Sequence, residues 1–180
     1  MLHTKEIQGM LVLAGLFFLG AMAYASQLAD EAIARGKDNY QNGMYQEAIK
    51  EFSDAVDSDS SNFDAYYNRG RVYQANKDWD KAIADYTKAI EMKPNDAEIY
   101  YNRGVVYYYK DFINDAIADW NKAIEICPTC PESYHKRAFA YMKKNEYNKS
   151  WDDVHKLEEL NHQAPANLLQ DLKKFSGRDN

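Results

Sequence analysis

The sequence has no glycine-rich phosphate loop, no nucleophile-and-base arrangement among its Ser, His and Asp residues, and no cluster of Lys and Arg. Its carboxylates are spread along the chain rather than concentrated. These absences exclude the usual phosphate-binding and hydrolytic constellations and point to a non-enzymatic protein without a cofactor. The net charge is -6 and the predicted pI about 5.2, so nothing favours nucleic acid, whose binding rests on clustered cations neutralising phosphates. Cysteine is nearly missing: Cys127 and Cys130 are the only two. Long apolar runs are confined to Gly9–Tyr24.

That run precedes Ala23-Tyr24-Ala25, a small-x-small cleavage pattern, and follows a start carrying one Lys. Residues 1–25 are therefore expected to be a signal peptide cut after Ala25, giving an exported, periplasmic or secreted protein whose mature net charge stays at -6. The alternative is an uncleaved anchor in the inner membrane, since spanning a bilayer takes about 20 residues. Only then would the protein touch a membrane. A tethered assembly subunit is the corresponding functional alternative.

What the chain has in abundance is repetition. Tyr66-Tyr67-Asn68-Arg69-Gly70 returns as Tyr100-Tyr101-Asn102-Arg103-Gly104, an offset of 34 residues. Ala82-Ile83-Ala84-Asp85-Tyr86 likewise returns as Ala116-Ile117-Ala118-Asp119-Trp120. A period of this length implies an array of small units, each burying its apolar face on its neighbours. Working outwards gives units at 29–62, 63–96, 97–130 and 131–164, the outer two degenerate because each faces water on one side. Within a unit, apolar and small residues fall at helical spacing in two stretches, so each unit reads as a helix pair. Turns are expected at Asn42-Gly43, Asn76-Lys77-Asp78, Lys110-Asp111 and Lys144-Asn145, and Pro94 and Pro128 stop the second helices. Gly70 and Gly104 are expected to let paired backbones approach, opposite Ala82 and Ala116. Leu168, Leu169, Leu172 and Phe175 mark a capping helix within 165–180, with Gly177 to Asn180 frayed.

An Arg precedes the Gly or its replacement in all four units, and an acid follows it by 16 residues. The couples are Arg35 with Glu51, Arg69 with Asp85, Arg103 with Asp119 and Arg137 with Asp153. Both positions border the seam between the two helices, so each couple is expected to form an internal ion pair that fixes register.

The aromatic-Gly-Tyr pattern of each first stretch, the Ala-Ile-aromatic-Ala pattern of each second and the terminal Pro resemble the tetratricopeptide (TPR) repeats. The resemblance covers Ala29 to Ala164; the first unit departs at Ala32 and Ser60 and the fourth at Ala138, Ser150 and His162. It implies an all-α, right-handed superhelical solenoid of four helix-turn-helix units plus the cap, with a concave groove that binds a protein or peptide. By the same resemblance the groove is lined by Lys37, Tyr40, Tyr67, Asn68, Arg71, Tyr101, Asn102 and Tyr108, in the company of Ile33, Gln74, Val105, His135, Phe139 and Met142. Asp30, Asp64, Glu98 and Glu132 join them and suit a basic or neutral partner. Asn grips peptide amides through donor and acceptor, and Tyr gives contact area at small entropic cost. Some TPR domains grip a terminal carboxylate; of that clamp only Asn68 matches here, while Ile33, Lys37, Glu98 and Asn102 stand at the other positions, so it is not expected.

Cys127-Pro128-Thr129-Cys130 lacks the His of a haem attachment site and the strand-to-helix setting of a thioredoxin-type centre. His135, His155 and His162 are not at zinc-ligand spacing, and no metal is expected. A local disulfide in a turn is the expected state, with a thiol or metal protein as the alternative.

Overall fold

The computed structural model describes residues 2–177; the expected fraying of the last residues lies, for 178–180, outside them. Nine helices and no strand occur among the described residues. They divide into two compact units, Met1–Val72 and Tyr73–Asn180, the boundary falling inside one helix.

In the first unit α1 spans Leu2–Gln41, α2 Tyr45–Ser58, and α3 begins at Phe63 and runs to Ala75. α1 is continuous through Ala25, but burial starts only at Ala29. Among the side chains described before it none is buried, and Phe17, Leu19, Met22 and Tyr24 are exposed. The core of the unit gathers Ala29, Ala32 and Ile33 from α1, Ala48, Phe52 and Ala55 from α2, and Ala65 and Val72 from α3. Phe52 is wholly buried against Gly36, where an added Cβ would come within 2.8 Å of its ring. Among the described residues no helix is long and apolar enough to cross a membrane.

In the second unit α4 spans Trp79–Met92, α5 Ala97–Tyr109, α6 Ile113–Ile126, α7 Pro131–Lys143, α8 Tyr147–Glu159 and α9 Ala166–Ser176. α5 packs on α6 and α7 on α8, and α4 on α5 and α6 on α7 link the successive pairs. α9 packs on α8, where Leu168 and Leu172 are fully buried with Trp151, Val154 and Leu157. Pro131 opens α7, where a missing N–H costs nothing. Asp96 caps α5 by accepting from Glu98 N at 3.1 Å, and α4 and α6 end just before Pro94 and Pro128.

The turns share one geometry. Gly43, Lys77, Asp111 and Asn145 all adopt positive φ between 59° and 73°, at the same position of each successive unit. Only the first is glycine. The helix-ending turn therefore demands the left-handed region four times: Gly43 suits it, Asp111 and Asn145 tolerate it, and Lys77 adopts it at a cost on the order of 1 kcal/mol.

Candidate interaction face of the first helices

In the first unit the expected groove residues of α1 and α3 come together. The Arg71 guanidinium lies 5.5 Å from the Tyr40 ring centre and 5.9 Å from that of Tyr67, and Tyr67 stacks on Phe63 at 5.6 Å. Lys37 Nζ stands 3.9 Å from Asp64 Oδ2. Arg71 and Lys37 are exposed, so this is a solvent-facing patch of alternating cations and rings. Two residues assigned to the face sit differently. Ile33 is 6% exposed and belongs to the core, and Asn68 is only 9% exposed. The Asn68 Nδ2 donates to Asp64 O at 2.8 Å, one turn back in its own helix.

In the second unit Tyr101, Asn102, Val105 and Tyr108 lie along α5, each half-buried, and His135, Phe139 and Met142 along α7. Tyr101 is fixed from behind: its backbone carbonyl accepts from Trp120 Nε1 at 3.2 Å. Burial raises its phenol above the ordinary value, with the nearby Glu132 carboxylate adding to the shift. Tyr108 packs against Trp120 at 5.9 Å between ring centres, with Lys143 Nζ 5.3 Å from its own. His135 leans on Phe139 at 5.3 Å, and burial, together with the charge of Lys136, lowers its pKa. Gln74 accepts from the Tyr86 hydroxyl at 2.7 Å, which ties it to α4.

Two cavities open between α5 and α7. One, of about 350 Å³, is lined by Glu98, Tyr101, Asn102, Cys130, Glu132 and Ser133. The other, of about 170 Å³, is lined by Val105, Tyr108, Tyr109, Trp120, Lys136 and Phe139.

Behind this face lie the arginines. Arg103 Nε and Nη2 each donate to Asp119 at 2.8 Å, a bidentate fork, and Arg137 does the same to Asp153 at 3.0 and 2.6 Å. Burial raises the carboxyl of Asp119, and the bonds from Arg103 pull it partly back; Asp153 behaves alike. Arg35 Nε reaches Glu51 at 2.8 Å with its side chain more exposed, at 56%. Arg69 donates Nη1 to Ser53 Oγ at 3.1 Å and lies 5.5 Å from the Tyr66 ring centre, and Asp85 is buried.

A further arm of Arg69, Arg103 and Arg137 escaped the sequence reading. Arg103 Nη1 donates to Thr87 Oγ1 at 2.9 Å and Arg137 Nη1 to Asn121 Oδ1 at 2.5 Å, just as Arg69 uses Ser53. Ser53, Thr87 and Asn121 recur at the repeat offset, a signal present in the sequence but masked by their differing chemistry. Arg103 thus joins the preceding second helix, α4, to the following one, α6. These contacts place the arginines in the seams between helices.

Cys127 and Cys130 form a disulfide across the turn between α6 and α7, with Cα atoms 5.5 Å apart. Among the described residues no three His, Cys, Asp or Glu side chains are grouped to hold a metal.

Comparison with known proteins bears on this architecture directly. Family profiles described as Tetratricopeptide repeat match residues 63–96 and 85–116, and one described as TPR repeat matches 36–77 and 113–145. The chain belongs to the tetratricopeptide repeat family. No curated protein matches it. Solved TPR structures share its fold. MamA, residues 41 to the end, from Desulfovibrio magneticus RS-1 aligns with TM-score 0.71 and 22% identity over 74% of this chain and 75% of that one. A tetratricopeptide repeat protein from Parabacteroides merdae aligns with TM-score 0.76 and 21% identity over 84% and 61%. The first TPR of Spaghetti (RPAP3), solved with the HSP90 peptide SRMEEVD, aligns with TM-score 0.64 and 22% identity over 67% and 95%. The all-α TPR fold of this chain is therefore established on both sequence and structure.

Proposed function

We propose that this TPR protein is a non-enzymatic interaction scaffold that binds a protein or peptide on the face presented by α5 and α7. The observation that carries the reading is the α5–α7 strip, where two cavities lie side by side among half-buried tyrosines, an amide and two carboxylates. Concave, mostly apolar openings with a few convergent polar groups are what recognition sites look like. The peptide-bound RPAP3 structure supports it by likeness of fold. The terminal-carboxylate clamp has no counterpart: Ile33 is buried in the core, and Glu98 brings negative charge to the face.

Export is part of the proposal. The signal pattern ending at Ala25 directs the chain across a membrane, and the exposed apolar side chains before Ala29 fit a segment that serves targeting or anchoring rather than the core. The disulfide at Cys127 and Cys130 accords with an oxidising compartment.

The test is affinity capture from the native cells with the chain beginning at Ser26, beside a Tyr101→Ala, Asn102→Ala, Tyr108→Ala variant of equal helicity and melting temperature. Loss of a specific partner with the variant supports the face. Equal capture by both moves binding to the second helices or the cap and overturns the reading.

A further inference from the structure

The two cavities between α5 and α7 differ in chemistry, and their spacing carries information. One end of the strip bears Glu98 and Glu132, both exposed, with Asn102 and the Tyr101 ring between them. Glu132 has no basic partner among the described residues, and its field already acts on the Tyr101 phenol. The other end is an aromatic pit floored by Trp120 and walled by Tyr108, Tyr109, Val105 and Phe139, with Lys136 on its rim. The pit, at about 170 Å³, has side-chain rather than small-molecule dimensions. A cationic side chain is favoured at the acidic end and repelled at the pit by Lys136; a large apolar side chain has the reverse preference.

The lining residues of the two cavities are centred about eight residues apart along α5 and about six apart along α7, or roughly 12 and 9 Å at 1.5 Å per residue. A β-strand returns a side chain to the same face at about 7 or 13 Å, on either side of that 9–12 Å span. A polyproline II segment has three residues per turn and a rise of about 3.1 Å, so positions i and i+3 lie on one side about 9 Å apart. Resting on the scaffold reading above, we propose that the α5–α7 strip recognises a polyproline II-type peptide carrying Lys or Arg and, three residues away, a large apolar or aromatic residue. The basic side chain enters between Glu98 and Glu132, and the apolar one fills the Trp120 pit. Tyrosines along the strip pack on the ligand's rings, and no ordering cost is spent on a segment already extended.

Fluorescence anisotropy with labelled peptides Gly-Arg-Pro-Pro-Trp-Gly and Gly-Trp-Pro-Pro-Arg-Gly tests this on the chain beginning at Ser26. One of the two directions should bind at least tenfold tighter than peptides with one or three intervening prolines, and than one with Gln for Arg. Glu98→Gln with Glu132→Gln, both at exposed sites, should erase the Arg preference while leaving the Gln peptide unchanged. Equal affinity for every spacing, or an Arg preference that survives the double change, overturns the proposal. Selection from a random-peptide display library separates the two levels of failure. Selected peptides that are displaced by Tyr101→Ala with Asn102→Ala but show another pattern overturn the spacing rule alone. If no selected peptide depends on those residues, the scaffold reading of this strip falls with it.

Discussion

Trp120 occupies the space that Gly104 leaves open: a Cβ at position 104 would come within 2.7 Å of Trp120 Nε1 and 3.0 Å of Cδ1. Trp120 is wholly buried and its indole N–H is held by the Tyr101 carbonyl, so it has no room to withdraw. Gly104→Ala should therefore destabilise the protein by about 1–3 kcal/mol, the usual cost of overpacking, despite alanine's better helix propensity. Urea unfolding measures it. Combined with Trp120→Leu, the alanine should cost less than in the native background, because the clash has gone.

Arg103 and Asp119 form a largely buried pair in which losing one partner costs more than losing both. Their side chains are 16% and 8% exposed. Arg103→Met alone and Asp119→Leu alone should each cost about 3–5 kcal/mol, since each strands an unpaired charge, while the double change should cost far less than the sum. The exposed couple of Arg35 with Glu51 should show coupling of about 1 kcal/mol or below. Additive losses at 103 and 119 would mean that the pair carries no energy of its own.

The helix pairs were legible because a 34-residue offset repeats small and aromatic residues where the helices meet, and any one unit corrects the reading of the next. The turns were legible as turns, yet their shared positive φ was not, because Lys77 carries no signal for it beside Gly43, Asp111 and Asn145. Burial along the first helices was harder still. Asn68 and Asn102 share one five-residue motif and are both expected on the open face, yet Asn68 is 9% exposed with its amide donated to Asp64 O, a placement that the motif does not encode. The atoms nearest to a Cβ at Gly104 belong to the bulky Trp120, 16 residues on, a crowding that the small-residue pattern does not announce.

The Cys127–Cys130 disulfide closes a loop of sequence separation 3. Chain entropy assigns so short a loop about 2 kcal/mol at most. Cys127→Ser with Cys130→Ser should lower unfolding free energy by no more than that and leave the circular dichroism spectrum unchanged. A loss well beyond it would show that the bridge also shapes the start of α7.

His135 supplies a pH dependence with a definite sign. Burial, aided by Lys136, holds its folded pKa below the ordinary 6.5. The folded state therefore binds fewer protons than the unfolded one as pH drops below 6.5, so this stabilisation is complete above that value and is lost as pH falls through the folded pKa. Between pH 7.5 and 5 the melting temperature of the native chain should fall relative to that of His135→Gln as the pH drops. Parallel curves would show that His135 does not titrate differently on folding.

The helical segment before Ala29 should be dispensable for folding. Among its described side chains none is buried, and Phe17 stands 82% and Tyr24 64% exposed, so their removal subtracts no core area. Core burial begins with Ala29, Ala32 and Ile33, which are retained in a chain starting at Ser26. Such a chain should match the full-length one in melting temperature and in urea midpoint, and it should be the more soluble of the two because a contiguous apolar surface has gone. A clear drop in the midpoint would mean that residues before Ser26 nucleate or brace α1. Recovery of the native protein with Ser26 as its first residue would show that the cell makes the same cut.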